Sequence, residues 1–417
     1  MRPIFNPERE FLQNECGIPL PENSCWMDRL QIIGYTIEQN KVHKHVLGKV
    51  TVNGMKISYK SKNNEIKYLT HADLANHYDD RLSQLESDSM NLTRDMSIKY
   101  ANHNVRICSS EGKDSLVTKH IVRKVLPDTK VLFSNTSLDT AQTYKSIKSD
   151  ANYEIINPSE GFYQWQARYK YIPTKHHRAC CPIFKENAMI THLDKDTPYL
   201  FFFGMRNQES ATRKDYMDEW QNQSWNTSLW VGVLPIRKWT ELDVWLYIIR
   251  ERLVFNELYR YGYGRVGCIA ACPFRTPYEG VIDKNFLPTY WHRWQRILHD
   301  DFMENGKWVS LNCTLQEYLD GAWKAGVLRD DPTDEVIVEF ATYKGIDVAT
   351  ATKFFNQSCV ACGKKLKKDE SALNMKYFGR GTTEKYCTRC LTKELGCTRE
   401  KLRQDIKDFK SQGCALF

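Results

Sequence analysis

The chain has 417 residues, 41% of them hydrophobic, with 59 Lys and Arg against 51 Asp and Glu, a net charge of +8. No apolar run approaches 18 residues, which excludes a helical membrane protein and leaves no membrane among the expected partners. Fourteen cysteines and no N-terminal signal peptide predict an intracellular protein whose thiols serve as ligands, nucleophiles or core residues, not as disulfides.

Taken in order, residues 1–100 form an extension. Val46 to Tyr59 alternates around Asn53-Gly54, which predicts a hairpin with a type I′ turn. Leu82, Leu85, Met90, Leu92 and Met96 then follow a helical spacing. Val105-Arg106-Ile107 predicts a buried strand that breaks into Cys108-Ser109-Ser110-Glu111-Gly112-Lys113-Asp114-Ser115, with a helix opening near Asp114. A strand-to-helix turn carrying Gly, Lys and hydroxyls is a phosphate site, because free amides, the helix dipole and the Lys113 charge converge there. The spacing is not that of a Walker loop. Val131 to Thr136 and Tyr199 to Phe203 are further strands, the latter running into Gly204-Met205-Arg206-Asn207-Gln208-Glu209-Ser210 and Arg213. Leu234-Pro235-Ile236 leads to Trp239-Thr240, where Thr240 is the expected N-cap of a helix and Asp243 its first-turn acid. Aromatic and aliphatic residues between 285 and 350 indicate packed helices, and no repeats interrupt the chain.

Loop, strands, arginine motif and Pro-Ile…Trp-Thr segment resemble, in the same order, the phosphoadenosine phosphosulfate (PAPS) reductase-like family of N-type ATP pyrophosphatases. Glu111 stands where that family has its first glycine. A carboxylate aimed at pyrophosphate would repel it, so Glu111 is expected to point out. The resemblance implies an α/β fold of the adenine nucleotide alpha hydrolase-like type. That fold has a parallel sheet with helices on both faces, to which a helical region and a small zinc-binding domain are added. The expected division is an extension at 1–100, the nucleotide domain at 101–284, a helical region at 285–350 and a four-cysteine module at 351–417.

Two cysteine sets stand out. Cys180-Cys181 with Cys268 and Cys272, 86 residues on, resembles the ligand set of sulfonucleotide reductases and of the DNA phosphorothioation sulfurtransferase branch. The resemblance implies a [4Fe–4S] cluster, with the second pair spaced C-x3-C instead of C-x-x-C; zinc, or a reactive pair without metal, remains open. Cys359 and Cys362 with Cys387 and Cys390, separated by 24 residues, form two knuckles suited to one tetrahedral Zn2+. Their segment resembles phage-associated four-cysteine modules ending as Gly413-Cys414-Ala415-Leu416-Phe417 does, which suggests a bacterial or phage-infected cytoplasm. Glu15-Cys16-Gly17-Ile18 repeats a motif of thioredoxin-linked PAPS reductases. It lies at the wrong end of the chain, with Pro19 where histidine follows, and is read as coincidence.

From Ala351 onward 15 basic residues face 7 acidic ones, the footprint of a polyanion partner. The resemblance implies that ATP and Mg2+ bind at the strand ends. Ser110, Gly112, Lys113, Asp114, Ser115, Arg206 and Arg213 would hold the nucleotide, and Lys113 with Ser110 and Ser115 would assist catalysis. An acceptor, DNA or RNA, would be adenylated and then take sulfur from a donor protein. The alternative enzyme reading is reduction of APS or PAPS. A reading of another class is a nucleotide-binding regulatory or partner-assembly protein.

Overall fold

Two β-sheets and the helices around them organise the chain in the computed structural model, which describes residues 1–62, 67–329, 331–355, 358–379, 382, 384–412, 414 and 416–417. Gly413 and Ala415 of the terminal motif lie outside the described residues. The chain divides into two compact units, residues 1–173 with 178–294, and residues 174–177 with 295–417.

The first unit begins with an antiparallel sheet of β1 (Arg2–Pro3), β2 (Trp26–Asp28), β3 (Gln31–Glu38), β4 (Lys41–Asn53) and β5 (Lys56–Ser61), in that spatial order. Helix α1 (Asn6–Cys16) ends at Gly17, whose φ of 65° makes a left-handed cap. The glycine of the Glu-Cys-Gly-Ile motif therefore serves to stop a helix. The hairpin between β4 and β5 forms, but its turn is displaced by one residue from the expected place. Asn53 pairs with Lys56, so Gly54 and Met55 are the central residues, and of these only Gly54 has positive φ, at 56°. That is the requirement of a II′ turn, not of I′, which needs two such residues. Helices α2 (His71–His77) and α3 (Asp79–Lys99) follow.

The second sheet comprises β6 (Asn104–Cys108), β7 (Lys130–Ser134), β8 (Tyr153–Ile156), β9 (Tyr199–Phe203), β10 (Glu219–Trp220) and β11 (Trp230–Val233), in the spatial order β10-β11-β9-β6-β7-β8. All pairings are parallel except that of the short edge strand β10. Helices join the strands: α4 (Lys113–Val125), α5 (Ala141–Lys148), α6 (Phe162–Tyr169), α7 (Asn187–His192) and α8 (Glu241–Arg250). Alternation along the strands splits the core. Ile107, Leu200 and Phe202 pack with Val122 of α4 and with Leu92 and Met96 of α3. Leu132, Tyr199 and Phe201 pack on the other face with Ala188 and Met189 of α7. Helices thus cover both faces, as a mostly parallel sheet requires. Thr240 caps α8 by accepting the Asp243 N–H, and Asp243 pairs with Arg81 of α3 at 2.8 Å.

In the second unit, short helices between Lys307 and Ala325 precede those at Asp334–Lys344 and Val348–Phe355. Beyond them, the helices Lys368–Phe378, Thr388–Glu394 and Arg399–Ser411 enclose a small core of Leu373, Leu391 and Leu402. Among the described residues no helix is long and apolar enough to cross a membrane.

Candidate functional site

The loop from β6 to α4 lies at the carboxyl end of a central strand, where parallel sheets bind ligands. Gly112 is the N-cap of α4. Ser115 staples the turn: its hydroxyl donates to the Gly112 carbonyl at 3.0 Å and accepts the Ser110 N–H at 3.3 Å. Ser110 itself is exposed, whereas Lys113 and Ser115 are buried. Gly204, at the exit of β9, lets the two segments meet. A Cβ there would stand 2.6 Å from the Asp114 carbonyl carbon and 2.7 Å from the Ser115 nitrogen.

Around this loop, cations and carboxylates interlock. Lys113 Nζ lies 3.0 Å from Asp114 and 3.2 Å from Glu241, and Arg206 Nε donates to Asp114 at 2.5 Å. Burial alone would lower the Lys113 pKa, but the facing carboxylates outweigh it and the net shift is upward. Asp114 likewise stays ionised: burial opposes this, but Lys113 and Arg206 hold its pKa down. Arg213 pairs with Glu209. Burial first, then the neighbouring Arg265 and Arg206, depress its pKa. Arg265 was missed in the sequence; its signal was a basic residue three positions before Cys268.

Glu111 does not point out. It is 7% exposed and turns back into the protein. Its carboxylate accepts from Ser109 at 2.9 Å, Ser146 at 2.5 Å and Tyr153, and pairs with Lys119 at 3.4 Å. A left-handed φ of 56° aims the side chain this way. The expectation failed because it weighed solvent against the phosphate mouth and overlooked Lys119, a half-buried cation about one and a half turns along α4.

Residues 257–267 form a strap over the loop. The Tyr259 hydroxyl accepts the Lys113 N–H at 2.9 Å. Gly112 lies beneath that hydroxyl and Val266, where a Cβ would meet them at 3.4 and 3.8 Å. The strap runs on to Cys268, whose sulfur lies 3.9 Å from the Thr136 hydroxyl; that hydroxyl donates to Asp139. The extra residue of the C-x3-C pair is taken up locally. Ala270 sits at φ 60°, and the Ala271 N–H bonds to the Ile269 carbonyl at 2.7 Å, a γ-turn of the strained, positive-φ kind.

Arg178, beside Cys180, stacks on the Phe274 ring at 4.6 Å, which brings the Cys180–Cys181 segment to the Cys268–Cys272 loop. A hydrogen bond from the Cys180 thiol leads in pushing the Cys181 thiol down to about 6, with Lys185, Arg178 and Arg265 assisting against burial. Cys181, Cys268 and Cys272 each act electrostatically on Cys180, and three cations, Lys185, Arg178 and Arg265, face the Cys181 thiol.

The other four cysteines converge more tightly. Among the described residues, Cys359, Cys362, Cys387 and Cys390 alone bring all their ligand atoms within 4.8 Å of one another. Cys362 and Cys387 sulfurs are 3.7 Å apart, the edge of about 3.8 Å that a tetrahedron with Zn–S bonds of about 2.3 Å demands. Gly363, at φ 70°, closes the first knuckle through its N–H to the Cys359 carbonyl. Burial works against ionisation of Cys359, but backbone N–H groups of Cys387, Ala361 and Cys362 bring its thiol down to about 6.

A family profile described as the phosphoadenosine phosphosulfate reductase domain matches residues 104–273. An uncharacterized protein of Methanocaldococcus jannaschii is 28% identical over 52% of this chain and 54% of its own length. An adenosine 5'-phosphosulfate reductase of Shouchella clausii is 28% identical over 43% of this chain and 76% of its own. Subunit 2 of sulfate adenylyltransferase from Shewanella frigidimarina is 27% identical over 43% of this chain and 67% of its own. The chain spans about half the length of the curated relatives it matches first. The motifs along the second sheet, from the loop after β6 to the Cys268–Cys272 pair, all lie within the residues that this profile matches, 104–273.

Proposed function

We propose that this chain is a nucleotide-dependent sulfurtransferase that splits ATP into AMP and pyrophosphate while adenylating a nucleic-acid acceptor. One observation carries the reading: a buried lysine and arginine converge on the start of α4, beside a loop that is not of the Walker type. The similarity to sulfate adenylyltransferase subunit 2 supports adenylyl chemistry. An acceptor oxygen attacks the α-phosphorus, the bond to the β-phosphate oxygen breaks, and pyrophosphate leaves. Lys113 and the amides at the helix start stabilise the charge that builds on the leaving group. Magnesium enters with the substrate phosphates. Arg206 holds Asp114 away from the incoming anion by engaging its carboxylate, and Arg213 supplies a further cation to the nucleotide. The terminal sulfur of a donor-protein persulfide then attacks the activated acceptor atom, AMP departs with the bridging oxygen, and a thiol cleaves the remaining S–S bond, leaving sulfur on the acceptor and a disulfide on the donor.

Cys180, Cys181, Cys268 and Cys272 would hold an iron–sulfur cluster, which when bound supplies charge and redox capacity beside the nucleotide. Cys359, Cys362, Cys387 and Cys390 would hold structural zinc. Functionally, residues 1–100 and 285–350 flank the nucleotide domain at 101–284, and 351–417 is the basic docking module. Incubation with ATP should release AMP and pyrophosphate, read by phosphorus NMR, and Lys113→Ala should slow this roughly 10²-fold, as loss of one charge-stabilising donor does. ADP and orthophosphate as products would reject the mechanism. The cysteine set and the resemblance to adenosine 5'-phosphosulfate reductase favour a second reading, in which a dithiol reductant releases sulfite and is oxidised to a disulfide, leaving AMP from APS or adenosine 3',5'-bisphosphate from PAPS. Sulfite without pyrophosphate would select it.

A further inference from the structure

Strands β4 and β5 present a face that neither the phosphate loop nor the cysteines use. Residues 41–67 contain seven lysines and one glutamate. Register pairs Lys49 with Lys60, Thr51 with Ser58 and Asn53 with Lys56, and all six are exposed on one face of the ribbon. The Thr51 and Ser58 hydroxyls are 2.6 Å apart. On the other face Val50 is buried and Val52, Ile57 and Tyr59 are half-buried, so the ribbon is anchored and its polar side is turned outward.

Lysines placed directly opposite one another across two strands repel. Among the described residues Lys49, Lys56 and Lys60 have no ion-pair partner, whereas Lys44 of the same strand reaches Asp28 at 2.9 Å. A lysine on β5 alone would guard that edge against unwanted pairing. Edge protection does not account for Lys49, which lies on the inner strand, nor for its placement against Lys60.

We propose that this face docks the phosphate backbone of duplex DNA. The proposal rests on the nucleic-acid acceptor reading above and gives it a contact surface in the same compact unit as the phosphate loop. A two-stranded ribbon enters the B-form major groove, about 12 Å wide, while the deep, narrow major groove of duplex RNA excludes it. The span from Lys49 to Asn53 is about 13 Å at strand rise, long enough for lysine ammonium groups to reach successive phosphates while hydroxyl and amide groups between them donate to phosphate oxygens.

The test is anisotropy of a labelled short DNA duplex with the full chain across a salt series. The triple variant Lys49→Gln, Lys56→Gln, Lys60→Gln should reduce the steepness of log K against log salt by about 2.7, three phosphates at about 0.9 each. Its melting temperature should hold or rise, because the Lys49–Lys60 repulsion is gone. The triple arginine variant should keep the wild-type slope. An unchanged slope in the glutamine variant overturns the proposal, and so does equal binding, equally lost, of an RNA duplex of the same length. Absence of DNA binding by the wild-type chain overturns it together with the nucleic-acid acceptor, while pyrophosphate release, measured separately, judges the activation chemistry. DNA binding that survives unchanged in the glutamine variant sinks the ribbon alone and leaves the acceptor reading standing.

Discussion

Glu111 holds a left-handed backbone, φ 56°, that a glycine would adopt without strain. A non-glycine residue in the left-handed region costs roughly 1–2 kcal/mol, and here the side chain offsets that strain by joining Lys119, Ser109, Ser146 and Tyr153. Glu111→Ala keeps the strain and removes the carboxylate from Lys119, which retains the Tyr153 hydroxyl at 2.7 Å, so a loss of about 1–3 kcal/mol is expected in urea melts, the cost of removing a buried hydrogen-bond partner. Glu111→Gly should lose about 1 kcal/mol less, because the strain goes with the side chain. Burial opposes ionisation of Glu111, but Lys119 and the three hydroxyls hold its pKa below the ordinary 4.5. The stability it confers is therefore complete above the unfolded pKa and is lost as pH falls through the lower folded value. Glu111→Gln should flatten the acid limb of the stability profile below about pH 4.5; an unchanged limb would show that other carboxylates set it.

At the scale of elements, much was legible because local signals and packing agree. The run Tyr199–Phe203 is a strand within its expected limits, since a five-residue apolar run suits a central parallel strand. Thr240 caps its helix as a threonine before an acid three residues on predicts. The misplacements have physical causes. Asn-Gly is a strong turn signal, yet facing residues across β4 and β5 set the register and moved the turn to Gly54-Met55. The added residue at Cys268–Cys272 could be counted but not placed, because a γ-turn at Ala270 leaves no compositional mark. Gly204 is the least conspicuous member of its motif and the one on which the contact between β9 and α4 depends. Gly204→Ala must push Asp114 backbone aside, so a loss of about 1–3 kcal/mol is expected, together with weakened nucleotide binding in calorimetry. Full retention of both would show that the strand exit yields without disturbing the loop.

For the whole molecule, the two cysteine sets sit in different compact units and have different geometries. Spacing in the sequence showed that Cys359, Cys362, Cys387 and Cys390 would gather; it could not show a 3.7 Å edge. The seven lysines of residues 41–67 can be counted in the sequence, but that Lys49, Lys56 and Lys60 stand exposed on one face of a ribbon could not. The core around Leu373, Leu391 and Leu402 is small, and the zinc proposed at the four cysteines would staple this segment of the second unit. One zinc per chain is expected at these cysteines by elemental analysis. Chelation or Cys390→Ser should melt residues 358–411, seen as lost ellipticity and new proteolytic cuts there, while residues 104–273 keep their own transition. Cuts spread evenly over both units would contradict that separation. The strap carrying Tyr259 sets the terms on which the first unit takes a ligand. The Lys113 amide is already bonded to a phenol of the same chain, so an anion that takes this amide does not fall into an open cradle; it exchanges one partner for another. The net gain at that position is therefore the difference between two hydrogen bonds and not the whole of one, so an anion binds there only as far as it outcompetes the phenol.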